Sequence, residues 1–184
     1  SLEERIRELL KRHEDLTRKL KKENDESLRR HRELTKKLRK ELEELLKRAE
    51  DVLRDLEREG LREEDKEEIE RRLKELREKA ERLARKDEEL LRRAEEKSER
   101  LRTEDERLLK ELEDEARDLR RKGSDAREVD DLLRKIEDIS KKSADRNREL
   151  NEELEDISRR SKEEMKKLLD ELRRDVEEIK KRTK

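Results

Sequence analysis

The chain has 184 residues, 64% of them charged and 26% hydrophobic, yet its 58 basic and 59 acidic side chains leave a formal net charge of −1. That cancellation excludes the basic face of a nucleic-acid binder and the acidic excess of a solvating tail. With no cysteine there is no disulfide framework or thiolate site, and apolar runs no longer than pairs such as Leu9-Leu10 and Leu45-Leu46 exclude a membrane span or signal-peptide core.

High charge with low hydrophobicity is the composition of disorder. Glu, Lys, Arg and Leu are also the ingredients of long helices, so periodicity has to decide. The chain opens at Ser1 without Met, which suggests a trimmed tag. Ser1 and Glu4 then have the spacing of a helix cap and its partner. Inward positions follow at alternating steps of four and three: Leu2, Ile6, Leu9, His13, Leu16, Leu20, Asn24, Ser27, His31, Leu34, Leu38, Leu42, Leu45, Ala49, Val52 and Leu56. They predict a helix over about 2–59, closed by Gly60, one of two glycines in the chain.

After Gly60, Glu63, Glu64 and Asp65 place negative charge in a first turn, although no good cap residue stands before them. A second helix is predicted over about 62–121, striped by Leu73, Leu91 and Leu109 and by Leu83, Leu101 and Leu119. Arg120, Arg121 and Lys122 suit the negative end of its dipole, and Gly123 ends it. Asp125, three residues before Glu128, opens a third helix over about 125–182, striped by Leu132, Leu150 and Leu168 and by Ile136, Leu154 and Leu172. Each helix would be about 90 Å long at its natural rise.

All three stripes recur every eighteen residues. Spread over about five turns, that is the α-helix's own pitch, whereas a heptad period forces a left-handed supercoil. The expectation is an all-α fold in a single domain over 1–184: a straight, untwisted antiparallel three-helix bundle. Each stripe covers about 120° of its helix, enough for three faces to close on one another.

The departures from the stripe are polar. Antiparallel neighbours lie level when their residue numbers share a constant sum, which the loops set near 121 and 247. His13 with Asp105 and His31 with Asp87 both fall at 118, while Asp105 with Ser140 and Asp87 with Ser158 both fall at 245. Three layers follow. The first holds His13, Asp105, Ser140 and Ser143. The middle one holds Asn24, Ser27, Ser98, Asn147 and Asn151. The last holds His31, Asp87, Ser158 and Ser161 and repeats the first about 27 Å along the axis. Thr17 and Thr35 are also inward. A carboxylate can accept from an imidazole on one side and hydroxyls on the other, and a buried polar group left unpaired costs about 1–3 kcal/mol. Connected layers therefore also penalise wrong registers.

The copied cassettes, the Lys/Glu/Arg surface, the absence of aromatics and the glycine-only loops resemble computationally designed helical bundles carrying modular hydrogen-bond networks. The resemblance covers the whole chain and implies a stable scaffold, of a class used as heterodimer halves, switches or building blocks. The readings are therefore a structural scaffold without natural activity or, from another class, an assembly module that accepts a partner helix or a second copy. Ile139 and Ile157, and Leu10, Leu28 and Leu46, edge their stripes and separate the two: exposed edges favour a partner. A natural spectrin-like rod fits poorly, because such repeats usually carry core aromatics.

No enzyme is expected. A Ser–His–Asp triad needs an exposed nucleophile and an oxyanion hole, and mid-helix amides are already bonded. One His beside one Asp makes a weak zinc site, so neither metal nor cofactor is expected. No membrane or nucleic-acid partner is expected either. Buried imidazoles could serve acid switching, which an adjacent Asp would oppose. Met165 fills a core position.

Overall fold

Apolar residues at steps of three and four, on a chain without proline, fold into long uninterrupted helices. The computed structural model describes residues 1–123 and 125–182; positions 124, 183 and 184, which the single-domain expectation includes, lie outside the described residues. Helix α1 runs Leu2–Arg58, α2 runs Glu63–Lys122 and α3 runs Ala126–Arg182. The expected boundaries at 59, 62, 121 and 125 each move by one residue, the usual fraying of helix ends. The fold is a three-helix bundle.

The ends are set locally. Gly60 has φ 97° and Gly123 φ 62°, a region that costs any residue with a Cβ about 1–2 kcal/mol. Around Gly60 the Leu61 amide donates to the Leu56 carbonyl at 3.0 Å and the Gly60 amide to the Glu57 carbonyl at 3.3 Å. This is the paired closure of a Schellman motif. Leu56 and Leu61 also meet in one apolar cluster, which locks the turn. At the start of α3 the Glu128 amide donates to Asp125 Oδ1 at 3.0 Å, and at the start of α1 the Glu4 amide donates to Ser1 Oγ at 3.3 Å. Helix α2 begins with no such side-chain cap among the described residues, and the Lys66 amide donates to the Arg62 carbonyl at 3.0 Å. Its acidic first turn offsets the exposed amides.

Tertiary contacts divide the chain into two compact units. Unit 1 comprises residues 1–29 and 92–155. Its core gathers Ile6, Leu112, Val129, Leu132, Leu133 and Ile136. Unit 2 comprises residues 30–91 and 156–184. Its larger core includes Leu42, Ala49, Leu76, Met165, Leu168 and Leu172. Fully burying a leucine contributes about 1.5–3 kcal/mol. Leu2, expected inward, is 37% exposed and is the exposed large hydrophobic among the described residues. It stands at the first position of α1.

Candidate functional site

Among the described residues the polar side chains turned into the bundle carry the interior's chemistry, and the two units arrange them differently. In unit 1, Asp105 on α2 is 3% exposed. Its Oδ1 accepts from the Ser143 hydroxyl at 2.5 Å and its Oδ2 from Asn147 Nδ2 at 3.1 Å, both on α3. The Lys21 ammonium on α1 stands 3.9 Å from the same Oδ2. Asn147 Nδ2 also donates to the Ser143 carbonyl one turn back, at 2.9 Å.

From Asn147 the contacts pass to α1. Asn24 Nδ2 donates to the Asn147 backbone carbonyl at 3.3 Å and to its Oδ1 at 3.4 Å. Asn151 Nδ2 donates to Asn24 Oδ1 at 3.0 Å and to Ser27 Oγ at 3.1 Å. The first and middle layers, separate in the sequence expectation, thus join through Asn147. The reason is its position: one helical turn beyond Ser143, it reaches the same carboxylate.

His13 is 1% exposed, and its Nδ1 has no hydrogen-bond partner. The expected His13–Asp105 hydrogen bond is not formed, because the carboxylate is committed to α3 and Lys21. Burial is the largest influence on the ring and lowers its pKa; Asp105 opposes this, Lys21 adds to it and Glu14 opposes it. Thr17, packed one turn on, donates back to the His13 carbonyl at 3.0 Å.

In unit 2 the equivalent carboxylate meets the imidazole. His31 Nε2 and Asp87 Oδ1 lie 2.8 Å apart, with His31 2% and Asp87 6% exposed. The Thr35 hydroxyl bridges the His31 carbonyl at 2.8 Å and Asp87 Oδ2 at 3.2 Å. Burial is the strongest influence on Asp87 and raises its pKa, but the bond and charge of His31, with the Ser161 and Thr35 hydroxyls, outweigh it and hold the carboxyl below its ordinary range. His31 Nδ1 has no partner.

Ser140, Ser98 and Ser158 are half-buried and join none of these hydrogen bonds among the described residues. Three residues on from them stand Ser143, Ser161 and Leu101, of which Ser143 and Leu101 are buried. Sequence reasoning missed Asp175, 9% exposed, which receives Arg72 Nε at 2.8 Å in unit 2. A signal existed: Ile139 and Ile157 occupy the same place in the two preceding eighteen-residue repeats.

In both units the acid touches the hydroxyls, and in unit 2 it stands between them and the imidazole. The ring therefore does not touch a hydroxyl it could activate. Among the described residues no group of three or more His, Cys, Asp or Glu side chains is placed to hold a metal ion, and no helix is long and apolar enough to cross a membrane. No protein family, curated protein or solved structure matches this chain.

Proposed function

We propose that the chain is a designed structural scaffold with no natural biochemical activity, its fold specified by apolar stripes and by buried polar layers that act as hydrogen-bond networks. The observation that carries this reading is the covered stripe edge. Leu28 is buried, and Leu10, Leu46, Ile139 and Ile157 are half-buried within the chain itself. Those edges are at least half covered within the chain, which supports a bundle whose three faces cover one another. The copying of His, Asp and Ser at eighteen-residue intervals further supports a modular, man-made origin. On this reading the helices stay nearly straight, because the stripe already follows their own pitch. Required partners, cofactors and metals have no place in it.

A second reading, an assembly module that takes a helical partner or a second copy, is favoured by one feature of unit 1: an open cleft where Leu2, Ile6, Leu10, Ala116 and Val129 come together. Size-exclusion chromatography with light scattering decides between the two. A mass near 22.7 kDa at micromolar concentration supports the scaffold, and twice that mass supports assembly.

A further inference from the structure

Unit 2 contains a cleft of about 180 Å³ beside its buried carboxylate. Asp87, Ser161 and Thr35 form its polar side, and Leu83, Leu90, Ile157 and Met165 its apolar walls. One difference between the repeats lies on its wall. Where unit 1 has Asn147 reaching for its carboxylate, the position eighteen residues on is Met165, which packs into the core and donates nothing.

The charges around the cleft are already matched at its rim. Lys86 pairs with Glu164 at 3.7 Å, Arg160 with Asp156 at 3.4 Å and Arg39 with Glu88 at 3.0 Å. Asp87 is different. Its contacts are the His31 ring at 2.8 Å, the Thr35 hydroxyl at 3.2 Å and the Ser161 hydroxyl. A carboxylate offers about four acceptor sites, so one further donor can be received. Unit 1 shows which donor suits it: Asp105 has the Lys21 ammonium at 3.9 Å. The position eighteen residues after Lys21 is Arg39, whose guanidinium turns instead to the Ala84 carbonyl at 3.2 Å and to Glu88.

From this juxtaposition we propose that the cleft is a binding site for a small organic cation, a primary ammonium on a compact hydrocarbon body. The ammonium takes the position at Asp87 that Lys21 takes at Asp105. The hydrocarbon lies against Leu83, Leu90, Ile157 and Met165. Size agrees, since an apolar cavity of about 150 Å³ accommodates benzene. A low-dielectric wall strengthens the ion contact beyond its value in water.

Met165 is the sole methionine, so ¹³C-methyl labelling gives one resonance on the cleft wall. Cyclohexylammonium chloride titrated at pH 8 is expected to move it saturably, with a millimolar dissociation constant. Cyclohexanol, of similar shape and neutral, is expected to bind at least tenfold more weakly. Asp87→Asn removes the preference for the cation. Ile157→Trp fills the cleft and abolishes binding while circular dichroism reports unchanged helicity; it serves alone if Asp87→Asn does not fold. A linear, unsaturated shift, equal affinity for the alcohol, or cation binding that survives Ile157→Trp overturns the proposal.

Discussion

Unit 1 and unit 2 carry the same residue types eighteen positions apart, His13 with Asp105 and Ser143, and His31 with Asp87 and Ser161, yet they bond them differently. In unit 2 the acid meets the imidazole; in unit 1 it turns to α3 and leaves the imidazole without it. One difference at the two acids is Asn147 against Met165. The amide donates to Asp105, and a thioether has no donor to offer Asp87. Copying residues along a helix therefore does not copy their contacts, because a donor one turn away competes for the same acceptor.

The sharpest attempt to break this comparison removes each acid in turn. Asp105→Ala strips the acceptor from Ser143 and Asn147 and leaves the Lys21 ammonium without its carboxylate. That ammonium is half-buried and 3.9 Å away, so its loss adds to about 1–3 kcal/mol for each buried donor left unmatched. Asp87→Ala leaves the His31, Thr35 and Ser161 donors unmatched, at about 1–3 kcal/mol. Urea denaturation reads both, and a larger loss for Asp87→Ala would contradict the account.

Next in size is the exchange that should convert one unit into the other. Asn147→Met is expected to release Asp105 toward His13 and to cost about 1–3 kcal/mol, because Asp105 loses a donor and Asn24 keeps only the backbone carbonyl of its two acceptors. Titration of the His13 ring followed by NMR should show its pKa rising. An unchanged titration would mean that Asn147 is not what holds the acid away.

The two units should also respond differently to acid. The folded pKa of His13 lies below 6.5, so the unfolded chain takes up the proton first. Its contribution is complete above about pH 6.5 and is lost as pH falls from there through the lower folded value. The folded pKa of Asp87 lies below 3.8, so its contribution persists above that pH and is lost only as pH falls through its own folded value. Hydrogen exchange at pH 7.5 and pH 5 should show protection around His13 declining before protection around Asp87; simultaneous loss would remove the distinction.

Smaller effects complete the series. Gly60→Ala should cost about 1 kcal/mol through its positive φ alone, since a Cβ there meets nothing within 4 Å. Thermal melts would check it, and an unchanged midpoint would show that the turn relaxes. Arg72→Ala is expected to cost at most about 1 kcal/mol, because its side chain is 50% exposed and water screens the Asp175 contact. A loss above about 2 kcal/mol would mark Asp175 as a buried charge left unmatched.

The helices and their ends were legible because stripe, glycine and cap are local signals that no neighbour countermands. The level of His31 with Asp87 follows from loop arithmetic, which depends only on helix rise. What that arithmetic lacks is rotation and competition. It cannot show that Ser140, Ser98 and Ser158 stay half-buried and outside these hydrogen bonds, nor choose between His13 and Asn147 as the partner of Asp105. Asp175 was hidden for another reason: in a chain this charged, an acidic residue looks like outer surface unless it is set against the isoleucines at its repeat positions.

Each unit holds one imidazole, and the chain contains no Phe, Tyr or Trp. In deuterated water, once the N–H protons have exchanged, the aromatic region of a proton spectrum therefore contains only His13 and His31 ring signals, one ring reporting on each unit. Loosening of either half can be followed in unlabelled protein, without a dye or an introduced probe.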